Sequence, residues 1–186
     1  LPPGVVNIVS GFGLPVGDTL VRHPDVHRIG FTGSVPTGLA IQRAAAEVSV
    51  KHVSLELGGK NPLIVFPDAD LDKVEDASIA GMNFSWAGQS CGSTSRILAH
   101  ESVYDELVER VAARTDAVVL GDPLDPSSEM GPVNSKGHYE NVLKFVEAGK
   151  RDGAKLVAGG ARPDGQQFER GYWLRPTVFA DATMDM

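Results

Sequence analysis

The chain has a single cysteine, Cys91. No internal disulfide can form, so a reducing compartment, the cytoplasm, is the expected setting. No apolar run approaches the length of a membrane-spanning helix, and no membrane partner is expected. Basic residues are also scarce, with 17 Lys and Arg against 24 Asp and Glu for a net charge of −7. Without a basic stripe interleaved with aromatics, a nucleic-acid surface is not expected either. The histidines, His23, His27, His52, His100 and His138, have no ligand spacing, so no metal site is expected, and each reads as a surface or capping residue. Leu1-Pro2-Pro3-Gly4 offers no charged leader, and the first residue is not Met, so the chain reads as a piece of something longer.

What the chain does have is the composition of a globular α/β protein: 42% apolar residues, 22% charged residues and 21 glycines in 186 positions. That length can bury a substantial core and holds one domain or pieces of two. Val5 to Val9 and Arg28 to Thr32 are short apolar runs bounded by turn residues and predict buried strands. Pro15 to Arg22 predicts a short helix between them, and Ser34 predicts an N-cap for an Ala-rich helix ending near Glu47. Strand, helix, strand, helix is a fragment of an open parallel sheet. A boundary is expected at Gly58-Gly59, where a strand ends.

Downstream, Asp70 can cap a helix running toward Trp86, and Arg96 to Ala99 predicts a strand. Ser102 to Asp105 resembles a capping box opening a helix with Tyr104, Leu107, Val108 and Val111 on one face. Tyr139, Val142, Leu143 and Val146 repeat that spacing in a helix closed near Gly153. Lys155 to Ala158 and Tyr172 to Phe179 predict strands, and Gly121 to Pro132 a Pro-rich surface connector.

Three constellations can carry chemistry. Thr32-Gly33-Ser34 through Gly38 takes a strand into a helix N-terminus, whose unpaired N–H groups suit a phosphate; glycine at such a turn is also ordinary. Gly11-Phe12-Gly13 makes a second turn of that type. In Leu55-Glu56-Leu57-Gly58-Gly59, a carboxylate between two leucines is expected to be partly desolvated, which suits a general base. The other reading is a solvent-facing Glu on an edge strand. Cys91 sits in Gly88-Gln89-Ser90-Cys91-Gly92-Ser93-Thr94, too polar to bury a core thiol. As a nucleophile it would need a group favouring the thiolate, and the carbonyls of a helix ending just before it would work against that.

Taken in order, these strings resemble the aldehyde dehydrogenase superfamily, non-acylating type. The resemblance rests on Phe31-Thr32-Gly33-Ser34 with Gly38, on Glu56 to Pro62, and on Gly88-Gln89-Ser90-Cys91 with Arg96, and it extends over the whole chain. It implies a partial Rossmann-like parallel-sheet cofactor domain, residues 1–57, joined to a partial α/β catalytic domain, residues 58–186. It also implies that Cys91 attacks an aldehyde and that Glu56 activates the water releasing the acid. Thr32, Gly33, Ser34 and Gly38 would approach NAD or NADP, of which NAD is the commoner choice, with Gly13 near the adenine and Leu57 near the nicotinamide. Full-length members form dimers or tetramers. The segments that complete the oxyanion hole, bind the adenosine ribose and hold the nicotinamide ribose are not among these residues, so the isolated chain is expected to be inactive. A CoA-acylating enzyme and a non-catalytic member of the same fold are the alternatives.

Overall fold

Residues 1–186, all described by the computed structural model, divide into two units, Leu1–Gly59 and Lys60–Met186. The first is built on two parallel strands, β1 (Arg28–Gly33) and β2 (His52–Leu57), in register from Arg28 opposite His52 to Gly33 opposite Leu57. Helix α1 (Asp18–Arg22) precedes them and α2 (Val35–Ala46) joins them. Ala44 and Ala45 of α2 pack with Val21 of α1, and Ile29, Ile41 and Val53 close around them. Such small residues let helix and sheet approach closely. Gly38 does the same one turn into α2: a Cβ there would lie 3.1 Å from the Leu57 Cδ2 and 3.3 Å from the Leu55 Cδ1.

Val5 to Val9 is not a strand. No strand of the chain pairs with it, and Val5, Val6, Ile8 and Val9 are exposed. Extended backbone needs a ladder to satisfy its amides, and apolar composition alone does not provide one. The unit therefore begins with a helix, and the regular part of the Pro15 to Arg22 segment is confined to α1, behind an irregular turn over Gly13–Gly17.

In the second unit, β3 (Pro62–Val65) and β4 (Arg96–Ala99) are parallel, with Pro62 opposite Arg96, and α3 (Leu71–Met82) lies between them in sequence. Helix α4 (Glu101–Asp116) covers them, burying Leu107 and Val111 against Val65. α5 (Lys136–Asp152) is capped by Ser135, whose Oγ accepts the His138 N–H at 3.3 Å, and ends at Gly153 with φ of 98°. A hairpin-like pair, β5 (Lys155–Ala158) and β6 (Val178–Ala180), is antiparallel. The chain is thus α/β, with helices set on parallel strand pairs. No helix is long and apolar enough to cross a membrane.

Three expectations are corrected here. The strand placed at Tyr172 to Phe179 shrinks to β6, because the preceding backbone is engaged in loops. The Tyr172 carbonyl accepts the Val133 N–H, the Arg175 N–H donates to Ala161, and Pro176 has no N–H to give. Helix α3 stops at Met82 rather than reaching Trp86, because Asn83 turns left-handed with φ of 58°. The N-cap of α4 is His100, not Ser102: its Nδ1 accepts the Ser102 N–H at 3.2 Å, which puts Ser102 inside the first turn.

Candidate active site

The loop carrying Cys91 is made by a rapid reversal after α3. Asn83, Ala87 and Gly88 all have positive φ, and between them a single tight turn, Phe84–Trp86, drops Phe84 into a cluster with Val118 and Met130. Phe84 is therefore packing, whereas Trp86 is exposed. The last two carbonyls of α3, and the Trp86 carbonyl of the turn that follows, accept donors. The buried Ser93 hydroxyl donates to Met82 O at 2.8 Å, the Thr94 N–H donates to Gly81 O at 2.9 Å, and the Gln89 side chain donates to Trp86 O at 3.0 Å.

Cys91 itself is exposed. The backbone that follows its Cα is not free, because Asn61 Nδ2 donates to Cys91 O at 2.9 Å and to Ser93 O at 3.3 Å. Ser90 adds a local tie, its Oγ accepting the Gly92 N–H at 3.2 Å. The result is a thiol open to solvent on a loop whose main chain is held by Asn61 and Ser90.

The other candidates gather at the carboxyl ends of β1 and β2. Register places Thr32 opposite Glu56 and Gly33 opposite Leu57, so four of the expected site residues share one edge. This is the end of an open parallel sheet where ligands bind. Ser34 follows directly as the N-cap of α2; its Oγ accepts the Thr37 N–H at 3.4 Å and lies 2.9 Å from Thr37 Oγ1. Pro36 has no N–H, so Val35 is left as the backbone donor of that first turn. One amide, two exposed hydroxyls and the positive end of a helix make a fit for a phosphate. Gly38 is buried, and its missing side chain accommodates Leu55 and Leu57. Gly13 is exposed in the turn before α1, with open space where a side chain would begin.

The partial desolvation expected for Glu56 is not seen, since Glu56 is exposed. Strand alternation is the reason: Leu55 and Leu57 turn together toward α2 and leave Glu56 on the opposite face. Flanking leucines in a strand shield the other side of the sheet.

Two residues that shape the Cys91 loop, Asn61 and Ser93, lie within the strings quoted from sequence but have no role assigned to them there. Their partners lie 30 and 11 positions away. The available signal for Asn61 was its place just before Pro62, at the mouth of a strand that pairs with the one leaving the loop.

The aldehyde dehydrogenase family model matches residues 1–186. The chain is 45% identical to aminoaldehyde dehydrogenase ALDH10A8 of Arabidopsis thaliana over 186 residues, 100% of this chain and 36% of that protein. It is 47% identical to betaine aldehyde dehydrogenase of Rhizobium etli, over 100% of this chain and 37% of that one. A crystal structure of betaine aldehyde dehydrogenase from Staphylococcus aureus in complex with NAD+ superposes with a TM-score of 0.90 at 37% identity, covering 95% of this chain and 35% of that chain. This chain spans little more than a third of the length of these relatives.

Proposed function

Because this chain belongs to the aldehyde dehydrogenase family, we propose that the protein carrying it oxidises an aldehyde to a carboxylic acid with NAD or NADP. The observation that carries this reading is the sole cysteine, exposed on a loop whose backbone is tied down. Residues 1–57 are then the last part of a cofactor domain and residues 58–186 the first part of a catalytic domain.

The Cys91 thiolate adds to the aldehyde carbonyl carbon, and the carbonyl oxygen becomes an oxyanion that the Cys91 backbone N–H can stabilise. Loss of hydride from that carbon leaves a thioester on Sγ. Glu56 takes a proton from water, the resulting hydroxide attacks the thioester, and the acid departs with Cys91 restored. An exposed carboxylate suits that last step, because the water it activates must reach it. The dinucleotide, when bound, supplies the hydride acceptor. Thr32, Gly33, Ser34 and the Val35 N–H would hold its phosphates, with Gly38 seating the helix they sit on, Leu57 beside the nicotinamide and Gly13 toward the adenine. NAD is favoured because the S. aureus relative binds NAD+. The cytoplasm suits a free thiol, although the Arabidopsis relative is named chloroplastic. The whole enzyme is a homodimer or homotetramer, and the 186-residue chain alone is inactive.

The test uses the full-length protein with betaine aldehyde, an aminoaldehyde and a simple alkyl aldehyde, following reduced cofactor with and without CoA. Cys91→Ala is expected to abolish cofactor reduction. Glu56→Gln is expected to keep a burst of about one reduced cofactor per site while steady turnover falls by about 10²–10⁴-fold. Turnover by Cys91→Ala at the unmodified rate overturns the reading. CoA dependence with Glu56→Gln fully active replaces hydrolysis by acylation.

A further inference from the structure

Two carbonyls of the Cys91 loop converge on one side chain. The Asn61 amide group has two N–H bonds, and both are used, one on Cys91 O at 2.9 Å and one on Ser93 O at 3.3 Å. Asn61 is itself anchored, because its carbonyl accepts the Arg96 N–H at 3.3 Å and the next residue, Pro62, sits opposite Arg96 in the β3–β4 ladder. On the other side, Ser93, 4% exposed, and Thr94 bind the last carbonyls of α3. Asn61, just before β3, and helix α3 thus hold the loop at residues 91, 93, 94 and 96, while the Cys91 side chain is exposed.

A carbonyl fixed in direction fixes the peptide plane that contains it. Holding Cys91 O sets the Cys91–Gly92 peptide and therefore the ψ angle of Cys91. That angle sets how the Cys91 Cα–Cβ bond and the Cys91 N–H, which move together about Cα–C, are aimed relative to the anchored backbone that follows. We propose that Asn61 is a positioning residue for the nucleophile, binding the Cys91 and Ser93 carbonyls so that the thiolate and its oxyanion donor are aimed together in one direction from the anchored loop. This role rests on the reading of Cys91 as the nucleophile. Only a side-chain amide serves at this distance. An ionised carboxylate has no proton to offer two carbonyl oxygens, and a serine hydroxyl has a single proton on a shorter arm. The contribution is kinetic, because a small misplacement of reacting groups is costly to rate while leaving ligand binding elsewhere intact.

The experiment is transient kinetics on the full-length protein, comparing Asn61→Ala, Asn61→Asp and Asn61→Gln with Cys91→Ala. The rate constant of the reduced-cofactor burst in Asn61→Ala is expected to fall by about ten- to a hundredfold. KM for aldehyde, the dinucleotide Kd and the thermal midpoint should change little. Asn61→Asp should be as slow or slower at neutral pH, and Asn61→Gln, which keeps the amide, should recover part of the rate. A burst in Asn61→Ala within about twofold of the unmodified protein overturns the positioning role. So does a loss of burst in all three Asn61 variants that tracks loss of dinucleotide binding and thermal stability, since that pattern belongs to a fold contact. If Cys91→Ala keeps its burst, the nucleophile assignment fails, and the role of Asn61 falls with it. A silent Cys91→Ala with a normal Asn61→Ala removes only the positioning role.

Discussion

The two units place an exposed candidate side chain by different means. In the first, Glu56 is set by a ladder: its position opposite Thr32 follows from strand register, and its exposed face follows from alternation. In the second, Cys91 is set by side chains, with Asn61 and Ser93 binding the main chain of an irregular loop. Their cores differ in parallel. Val21, Ala44 and Ala45 make up the buried cluster of the first unit, whereas the second buries Val65, Leu107 and Val111 in one cluster and Phe84, Val118 and Met130 in another. A strand brings its own backbone constraints and needs little beneath it. A loop must be given constraints by its neighbours, and those neighbours must be rigid.

The strongest way to sharpen this contrast is to weaken the core that holds β3 and β4, the strands on either side of the loop in sequence. Leu107 is 2% exposed and packs in the cluster that joins α4 to β3 and β4. Leu107→Ala should destabilise the second unit by about 2–5 kcal/mol. Hydrogen exchange on the full-length protein should then quicken across α3, α4, β3, β4 and the Cys91 loop, while amides of α2, β1 and β2 keep their protection. Equal acceleration in both units would break the comparison, because the two would then be unfolding as one. The converse change is milder. Ser34→Ala leaves the Thr37 N–H without its cap and should cost about 1 kcal/mol, with faster exchange confined to the first turn of α2 and the end of β1. Ser34→Asp, another good cap, should restore protection.

The same contrast explains what was legible in the sequence. Caps at Ser34 and Asp70 could be read because each bonds the residue three positions on. The helix stripe ending in Val111 and the strand at Arg96–Ala99 are local patterns as well. Val5 to Val9 and Tyr172 to Phe179 have strand composition, but being a strand depends on a partner that composition does not name. Glu56 shows the limit of pattern within a strand. The alternation was visible, but only the packing of Leu55 and Leu57 around Gly38 decides which face is covered. Asn61 and Ser93 lay further out of reach, since neither has a role until β3 pairs with β4 and α3 ends where it does.

The smallest effect concerns the outer support of that loop. Glu129 accepts the Val119 N–H at 2.8 Å and an Arg114 N–H at 3.3 Å, next to Met130, which packs against Phe84 at the base of the Cys91 turn. The Val119 N–H first, and the Arg114 guanidinium after it, hold this carboxyl below the ordinary glutamate value of 4.5. A value lowered by folding means that the folded state favours the charged form. The stabilisation is therefore complete above the ordinary value and is lost as pH falls through the lowered one. Acidification through that range should lower the thermal midpoint of the second unit more steeply than that of the first. Glu129→Gln, which keeps an acceptor but no charge, should remove part of that slope and lower the midpoint slightly at neutral pH. The effect is small because the Glu129 side chain is 42% exposed and water screens its pairing with Arg114. An unchanged slope in Glu129→Gln would show that this carboxylate does not couple the α4–α5 connector to the floor of the loop, leaving α3 and Asn61 as its supports.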